Sequence, residues 1–123
     1  MTHAFVVTLS DMAAFQELSG DDSLIHTDAE FSARHGFGAP IVYGGVMLAK
    51  LSRVLGTMVP GRRGVSMAWS IVYRKPLHVN ETAVLTATVD HISEATRSIN
   101  LKFDIRRGSD LIATGKTESL ILE

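Results

Sequence analysis

Two short segments carry the residues of this chain whose types and spacing suit catalysis. In the first, from Ser19 to Asp28, a carboxylate at Asp21 and an imidazole at His26 stand five residues apart. In the second, from Ala39 to Gly45, two glycines open an apolar stretch. A carboxylate and an imidazole together can move a proton and position a water. A helix that begins with glycines offers bare N–H groups to a developing oxyanion. These parts suffice for hydration chemistry on a thioester.

The elements around the carboxylate and the imidazole must bring together two side chains that one helix would separate. Residues five apart on a helix point about 140° from each other. The pair is therefore expected on a loop from Asp21 to His26, after Gly20 ends a first helix. A capping-box pattern then predicts a second short helix from Asp28 to about His35.

The remaining segments predict an α+β fold. A first strand is expected from His3 to Thr8, and the apolar segment from Gly44 to Thr57 is typical of a helix wrapped by a sheet. Four further strands are predicted, from Val65 to Lys75, Thr82 to Ile92, Arg97 to Arg107 and Leu111 to Leu122. The third alternates apolar and polar residues, which indicates one buried face. One buried helix and a four-strand meander make the hot-dog architecture, a curved antiparallel sheet around one long central helix.

Composition and charge narrow the classes of function. The 123 residues predict a single domain over positions 1–123. A net charge of -1 gives no reason to expect a nucleic-acid partner. The absence of cysteine excludes a thiol nucleophile and any disulfide framework. No signal peptide is recognisable, and no apolar run approaches the roughly 20 residues of a membrane span. A soluble, cytoplasmic protein without a membrane partner is expected.

The two spaced motifs resemble a known family. Ser-Gly-Asp-x-x-x-x-His-x-Asp at positions 19–28 and Pro-Ile-Val-x-Gly at positions 40–44 are similar to the motifs of the MaoC-like hot-dog dehydratases. The resemblance is closest to the short R-specific enoyl-CoA hydratases and strongest from Ser19 to Gly61. The strand from Ser70 to Leu77 also resembles the family's aromatic/basic-x-Pro strand. The resemblance implies reversible hydration of a trans-2-enoyl thioester to the R-3-hydroxyacyl thioester.

The resemblance assigns the catalytic pair to Asp21 and His26. It implies that Asp21 accepts a proton from the water, while His26 orients the water and returns a proton to the α-carbon. The N–H of Gly44 would stabilise the enolate oxygen. Tyr43 stands beside this oxyanion site, where the family usually has histidine, and a phenol can still donate a hydrogen bond. Ser52 lies on the central helix where the family carries a serine that lines the pocket.

Simpler structural interpretations stay open at these positions. Asp21 follows a helix-ending glycine and so suits a turn residue that bonds its own backbone. His26 suits a packed, hydrogen-bonded loop histidine, and Ser52 suits a small residue that lets helix and sheet approach closely. The chain also has Ser23 and Leu24 where the family usually has Asn-Pro. Loss of that proline is expected to loosen the loop.

Two other functions compete with the hydratase. Acyl-thioester hydrolases of this fold are known for an acidic residue on the central helix, whereas the charged residues there are Lys50 and Arg53. A non-catalytic acyl-thioester-binding subunit would be best supported by loss of the aspartate or the histidine, and both are present. Neither alternative is therefore favoured over the hydratase.

The expected partners follow from the reaction and the fold. No second histidine lies at metal-ligand spacing, so no metal is expected. No cofactor is expected either, because coenzyme A or an acyl-carrier protein arrives with the substrate. A small sheet around one helix leaves an open edge, which predicts at least a homodimer with active sites at the interface.

Overall fold

Five strands and four helices follow one another along the chain from Met1 to Glu123, all of which the computed structural model describes. Their bounds are β1 Thr2–Val6, α1 Leu9–Ser19, α2 Leu24–Thr27, α3 Ala29–Arg34, α4 Gly44–Thr57, β2 Gly64–Tyr73, β3 Thr82–Ser93, β4 Ser98–Arg107 and β5 Asp110–Ile121. The five predicted strands are all present, with ends that differ from the predicted ones by up to two residues.

The strands form one antiparallel sheet in the order β1-β3-β4-β5-β2. Only β3, β4 and β5 pair as consecutive hairpins, and β2 pairs with β5 at the far edge. The predicted meander of four consecutive strands is therefore wrong for β2. The reason is that the residue pattern of a strand indicates its faces but not its neighbours. Those neighbours depend on how the chain crosses over from the preceding helix.

Helix α4 lies against the concave face of this sheet and has the bounds predicted for it. Its buried side chains are Val46, Met47, Leu51, Val54 and Leu55. They share one hydrophobic core with the inward-facing residues of β4, namely Ile99, Leu101, Phe103 and Ile105, all of which are buried as their alternation predicted. Burial of each such side chain contributes roughly 1.5–3 kcal/mol. The curved sheet around one helix confirms the hot-dog fold. No helix has the length and apolar character needed to cross a membrane.

The segment before α4 departs from its prediction. Gly20 ends α1 in the left-handed conformation, at φ 74°, as expected. The loop predicted from Asp21 to His26 is only partly a loop, because the helical turn α2 begins at Leu24 and contains His26. A helix of four residues is too short to leave a periodic pattern in the sequence. Asp28 then caps α3 by accepting the Phe31 N–H at 2.8 Å.

Candidate active site

A cavity of about 410 Å³ lies where the N-terminus of α4 meets the end of β2. Its lining residues are His26, Phe37, Ile41, Val42, Gly44, Met47, Tyr73, Arg74, Lys75, Pro76 and Leu77. Two of the predicted site residues, His26 and Gly44, therefore share one cavity. The other three, Asp21, Tyr43 and Ser52, do not line it in a single chain.

The position of the imidazole is set by one hydrogen bond and one ring contact. Nδ1 of His26 lies 2.7 Å from the carbonyl oxygen of Ile41. Since a carbonyl oxygen only accepts, Nδ1 is the nitrogen that carries the proton. The ring also stacks on Tyr43, with centroids 4.1 Å apart and planes at 28°. In the neutral ring Nε2 therefore holds a free lone pair, which can accept a proton.

The carboxylate of Asp21 is held by its near neighbour. Oδ1 accepts the Ser23 hydroxyl at 2.6 Å and the Ser23 N–H at 3.0 Å. These two bonds, the hydroxyl first, lower the pKa of Asp21, and His26 adds a smaller attraction when it is charged. The bonds to Ser23 give Asp21 the turn role that the sequence predicted. The same bonds favour the ionised form of its carboxylate. Oδ2 accepts no hydrogen bond from the protein and can accept one from a water.

The N-terminus of α4 offers unbonded donors to the cavity. Tyr43 at the N-cap supplies no side-chain cap, and the N–H groups of Gly44 and Gly45 donate to no protein acceptor. The positive end of the helix dipole lies at the same place. A Cβ at Gly44 would collide with the Tyr73 phenol, so glycine is required for this close approach. The geometry suits a developing oxyanion.

Tyr73 is the cavity residue that sequence reasoning missed. It ends β2, its hydroxyl makes no hydrogen bond in the structure, and burial raises its pKa. The phenol lies over Gly44 at the mouth of the cavity. Its only signal in the sequence was an aromatic residue shortly before Pro76, within the strand that carried the family resemblance.

Tyr43 does not face the cavity. Only 2% of its surface is exposed, and its hydroxyl donates to the main-chain carbonyl of Asp21 at 2.6 Å. The ring contacts both His26 and Phe15, with centroids 4.1 Å and 4.7 Å away. A phenol has only one hydrogen to donate, and Tyr43 donates it to the Asp21 carbonyl. The structure thus corrects the predicted contact of Tyr43 with the oxyanion or substrate.

Ser52 lies apart from the other predicted residues. It is exposed and follows Gly44 by eight positions, which is roughly 12 Å along a helix axis. It lines a separate cavity of about 90 Å³ together with Gly56 and Pro60. A single chain does not bring Ser52 to His26, and its role in the pocket stays a prediction.

Two basic residues follow Tyr73 along the rim. Lys75 pairs with Asp110 at 2.8 Å, whereas Arg74 forms no ion pair and is exposed. Arg74 is therefore the free cation beside the cavity. No group of three or more His, Cys, Asp or Glu side chains is placed to hold a metal ion.

Comparison with known proteins finds a family whose model matches this chain. The family model described as "MaoC like domain" matches residues 2–105. The chain is 29% identical over 108 residues to the (R)-specific enoyl-CoA hydratase of Aeromonas caviae, covering 87% of this chain and 81% of that protein. It is 27% identical over 110 residues to the 3-hydroxybutyryl-CoA dehydratase of Methylorubrum extorquens, covering 89% and 70%.

Solved structures show the same fold. The (R)-hydratase from A. caviae superposes with a TM-score of 0.92 at 25% identity, covering 98% of this chain and 92% of that one. A fluoroacetyl-CoA-specific thioesterase superposes with a TM-score of 0.70 at 17% identity, covering 98% and 90%. The second match shows the fold alone, so the fold by itself does not separate hydration from thioester hydrolysis.

Proposed function

The chain belongs to the MaoC-like domain family, and from that membership we propose that it reversibly hydrates a trans-2-enoyl thioester to the R-3-hydroxyacyl thioester. The observation that carries the proposal is that His26 and the unbonded N–H of Gly44 share one cavity. Relatives named (R)-specific enoyl-CoA hydratase and 3-hydroxybutyryl-CoA dehydratase support the same reaction class. The chain is accordingly a lyase.

In the proposed mechanism the thioester oxygen accepts the Gly44 N–H. The water oxygen bonds to the β-carbon, and the π electrons of the double bond move onto the thioester as an enolate. The positive end of α4 stabilises the negative charge on the enolate oxygen. The enolate then takes a proton at the α-carbon, which completes the addition of one water.

We assign the proton transfers to His26. Nε2 accepts a proton from the water as the carbon–oxygen bond forms, and the imidazolium returns a proton to the α-carbon. The Nδ1 bond to the Ile41 carbonyl supports this role, because it leaves Nε2 as the basic nitrogen. Asp21 accepts the second water hydrogen in a hydrogen bond and stays ionised. We assign the base role that the family resemblance implies for Asp21 to His26, because His26 lines the cavity in a single chain and Asp21 does not.

The cavity suits a thioester of coenzyme A or of an acyl-carrier protein. Phe37, Met47 and Leu77 supply apolar walls for an acyl chain. Arg74, which has no ion pair, stands at the rim where a phosphate of either carrier would pass. The mechanism uses groups of the chain, the substrate and water, and it calls for no cofactor or metal.

We also propose that the functional unit is at least a homodimer. No residue of the edge strand β2 is buried, and its large apolar side chains at Val65, Met67, Trp69 and Val72 are 39% to 58% exposed. Tyr73, at the end of the same strand, lines the cavity. A second copy paired along β2 would therefore cover the apolar strand and adjoin the site.

The test is to incubate the protein with crotonyl-CoA and to follow loss of the conjugated enoyl-thioester absorbance. His26→Gln is expected to lower kcat/KM by about 10²- to 10⁴-fold, the usual contribution of a proton-transferring group. Asp21→Asn is expected to lower it by about 10- to 10²-fold, the value of one hydrogen bond to a charged group at roughly 1.5–3 kcal/mol. Asp22→Asn and His91→Gln, at exposed positions outside the cavity, are the matched controls and should retain the parent rate.

The other outcomes identify the competing functions. Release of free thiol without hydration would assign the chain to the thioester hydrolases. If neither reaction occurs but crotonyl-CoA binds, the chain is a non-catalytic binding subunit and the hydratase proposal is wrong.

A further inference from the structure

Tyr43 connects three groups of the site without lining the cavity. Its hydroxyl donates to the Asp21 carbonyl at 2.6 Å, and its ring stacks on His26 at 4.1 Å. The Gly44 N–H belongs to the peptide bond that Tyr43 itself forms. One buried side chain thus adjoins the carboxylate residue, the imidazole and the oxyanion donor.

The hydroxyl of Tyr43 is also the only long-range anchor of the segment 21–23. Every other hydrogen bond made by these three residues stays within positions 19–27, from the Ser19 hydroxyl to the Thr27 hydroxyl. All three residues are exposed. Without the bond from Tyr43, the Asp21 backbone would be held only from one side, by the hydroxyl of Ser19 at the end of α1.

We propose that Tyr43 is a positioning residue that holds Asp21 and His26 in the relative placement that water addition requires. The kinetic part of this inference rests on the proposed function, whereas its structural part does not. Phe15 also packs against the ring, with centroids 4.7 Å apart, so the phenol has little freedom to follow a moving loop. A displacement of about 1 Å at a reacting group is enough to cost up to 10²-fold in rate.

The direct test is Tyr43→Phe, which keeps the ring and its packing and removes only the hydroxyl. We expect kcat to fall by about tenfold while KM stays within about twofold, because substrate contacts are unchanged and only positioning is lost. Amide hydrogen exchange within residues 22–26, read at the bonded N–H groups of Ser23 and His26, is expected to quicken by a similar factor, since the bond that restrains this segment is gone.

A matched control removes an equivalent hydroxyl elsewhere. Thr57 donates its hydroxyl to the Arg53 carbonyl at 2.7 Å at the far end of α4. Thr57→Val therefore deletes a hydroxyl-to-carbonyl bond of similar length that lies within one helix and away from the site. It should leave both kcat and the exchange of residues 22–26 at their parent values.

A rescue variant separates positioning from other roles of the hydroxyl. Leu24 is the first residue of α2, half-exposed at 51%, and its N–H donates to no acceptor. Ser23 before it has φ -56° and ψ 141°, which suits a residue that precedes proline. Proline is favoured at the first helical position. Leu24→Pro is therefore expected to stiffen the loop and restore most of the kcat lost in Tyr43→Phe.

Three results decide the inference. Parent-like exchange of residues 22–26 in Tyr43→Phe would overturn it, whatever the activity. So would restored exchange in the Leu24→Pro, Tyr43→Phe double variant without restored kcat, since the hydroxyl would then act by another route. If the parent protein hydrates no enoyl thioester, the proposed function fails, and the exchange comparison still tests whether Tyr43 holds the segment.

Discussion

Both hydrogen bonds to the Asp21 carboxylate come from Ser23, two residues along the chain. Hydrogen bonds donated to a carboxylate favour its ionised form, and the Ser23 hydroxyl is the largest cause of the lowered pKa of Asp21. The pKa of this proposed water-binding group is thus lowered by a near neighbour in the sequence, Ser23, which stands where the family usually has asparagine. The expected loosening of this loop is opposed by the Ser23 and Tyr43 bonds.

Ser23→Ala is predicted to raise the pKa of Asp21. The variant loses the hydroxyl bond that favours the charged form and keeps the N–H bond, so protonation begins at a higher pH than in the parent. The measurement is an NMR titration of the Asp21 carboxyl carbon. Asp11, whose pKa is lowered mainly by its bonds to Thr8, is the internal reference and should titrate unchanged. A parent-like Asp21 midpoint in the variant would contradict the assignment.

At the level of single residues, the proposed reacting groups came from the sequence more readily than the direction of the side chains around them. Asp21, His26 and Gly44 were identified from motif spacing, and the structure places the last two in one cavity. The direction of the Tyr43 side chain was missed, because it depends on packing against Phe15 and on the path of the segment near Asp21. Neither contact can be predicted from the residues next to Tyr43 in the sequence.

At the scale of elements, the helix that supports the site was the most predictable part. An apolar segment starts at Gly44 and stops before Pro60-Gly61, and α4 has the bounds predicted from it. The helical turn α2 was missed because its four residues span barely one helical period, too few for a periodic pattern. The pairing of β2 was missed because strand order is decided by tertiary crossovers.

Gly44→Ala is predicted to separate activity from stability. The added Cβ collides with the movable end of Tyr73, so the phenol swings away and the methyl group obstructs the approach of the thioester oxygen. We expect a loss of kcat/KM of at least about tenfold, while the free energy of unfolding changes by less than about 1 kcal/mol. Initial rates and urea denaturation measure the two effects.

Gly56→Ala on the same helix is the matched control. A Cβ there meets nothing within 4 Å, so the substitution should stabilise α4 by about 0.5–1 kcal/mol through helix propensity. Its rate should equal that of the parent. If Gly44→Ala were as active as Gly56→Ala, the N-terminus of α4 would not be the oxyanion site.

At the scale of the whole molecule, the two edges of the sheet differ. Strand β1 closes one edge and buries Phe5, the fourth of its five residues. Strand β2 closes the other and buries none of its ten residues. Apolar side chains left exposed along an edge strand are a ready surface for pairing with another chain.

Trp69→Arg is predicted to disrupt the proposed homodimer. Trp69 is 39% exposed in one chain, and a charge at this position would be costly to bury between two copies. Light scattering should give twice the 13.3 kDa chain mass for the parent and the single mass for the variant. Val89→Arg, at a 44% exposed apolar position on β3, is the control and should stay dimeric. A dimeric Trp69→Arg would place the interface elsewhere.

The strand order also sets the sequence of events in folding. Strands β3, β4 and β5 are joined by short turns, whereas β1 pairs with residues about 80 positions away and β2 with residues 40 to 57 positions away. Closing long loops costs entropy and slows folding, so the central hairpins are expected to form first. The groups of the site come from positions 21–44 and from Tyr73, outside those hairpins. A refolding chain is therefore expected to regain its central hairpins before it can regain its chemistry.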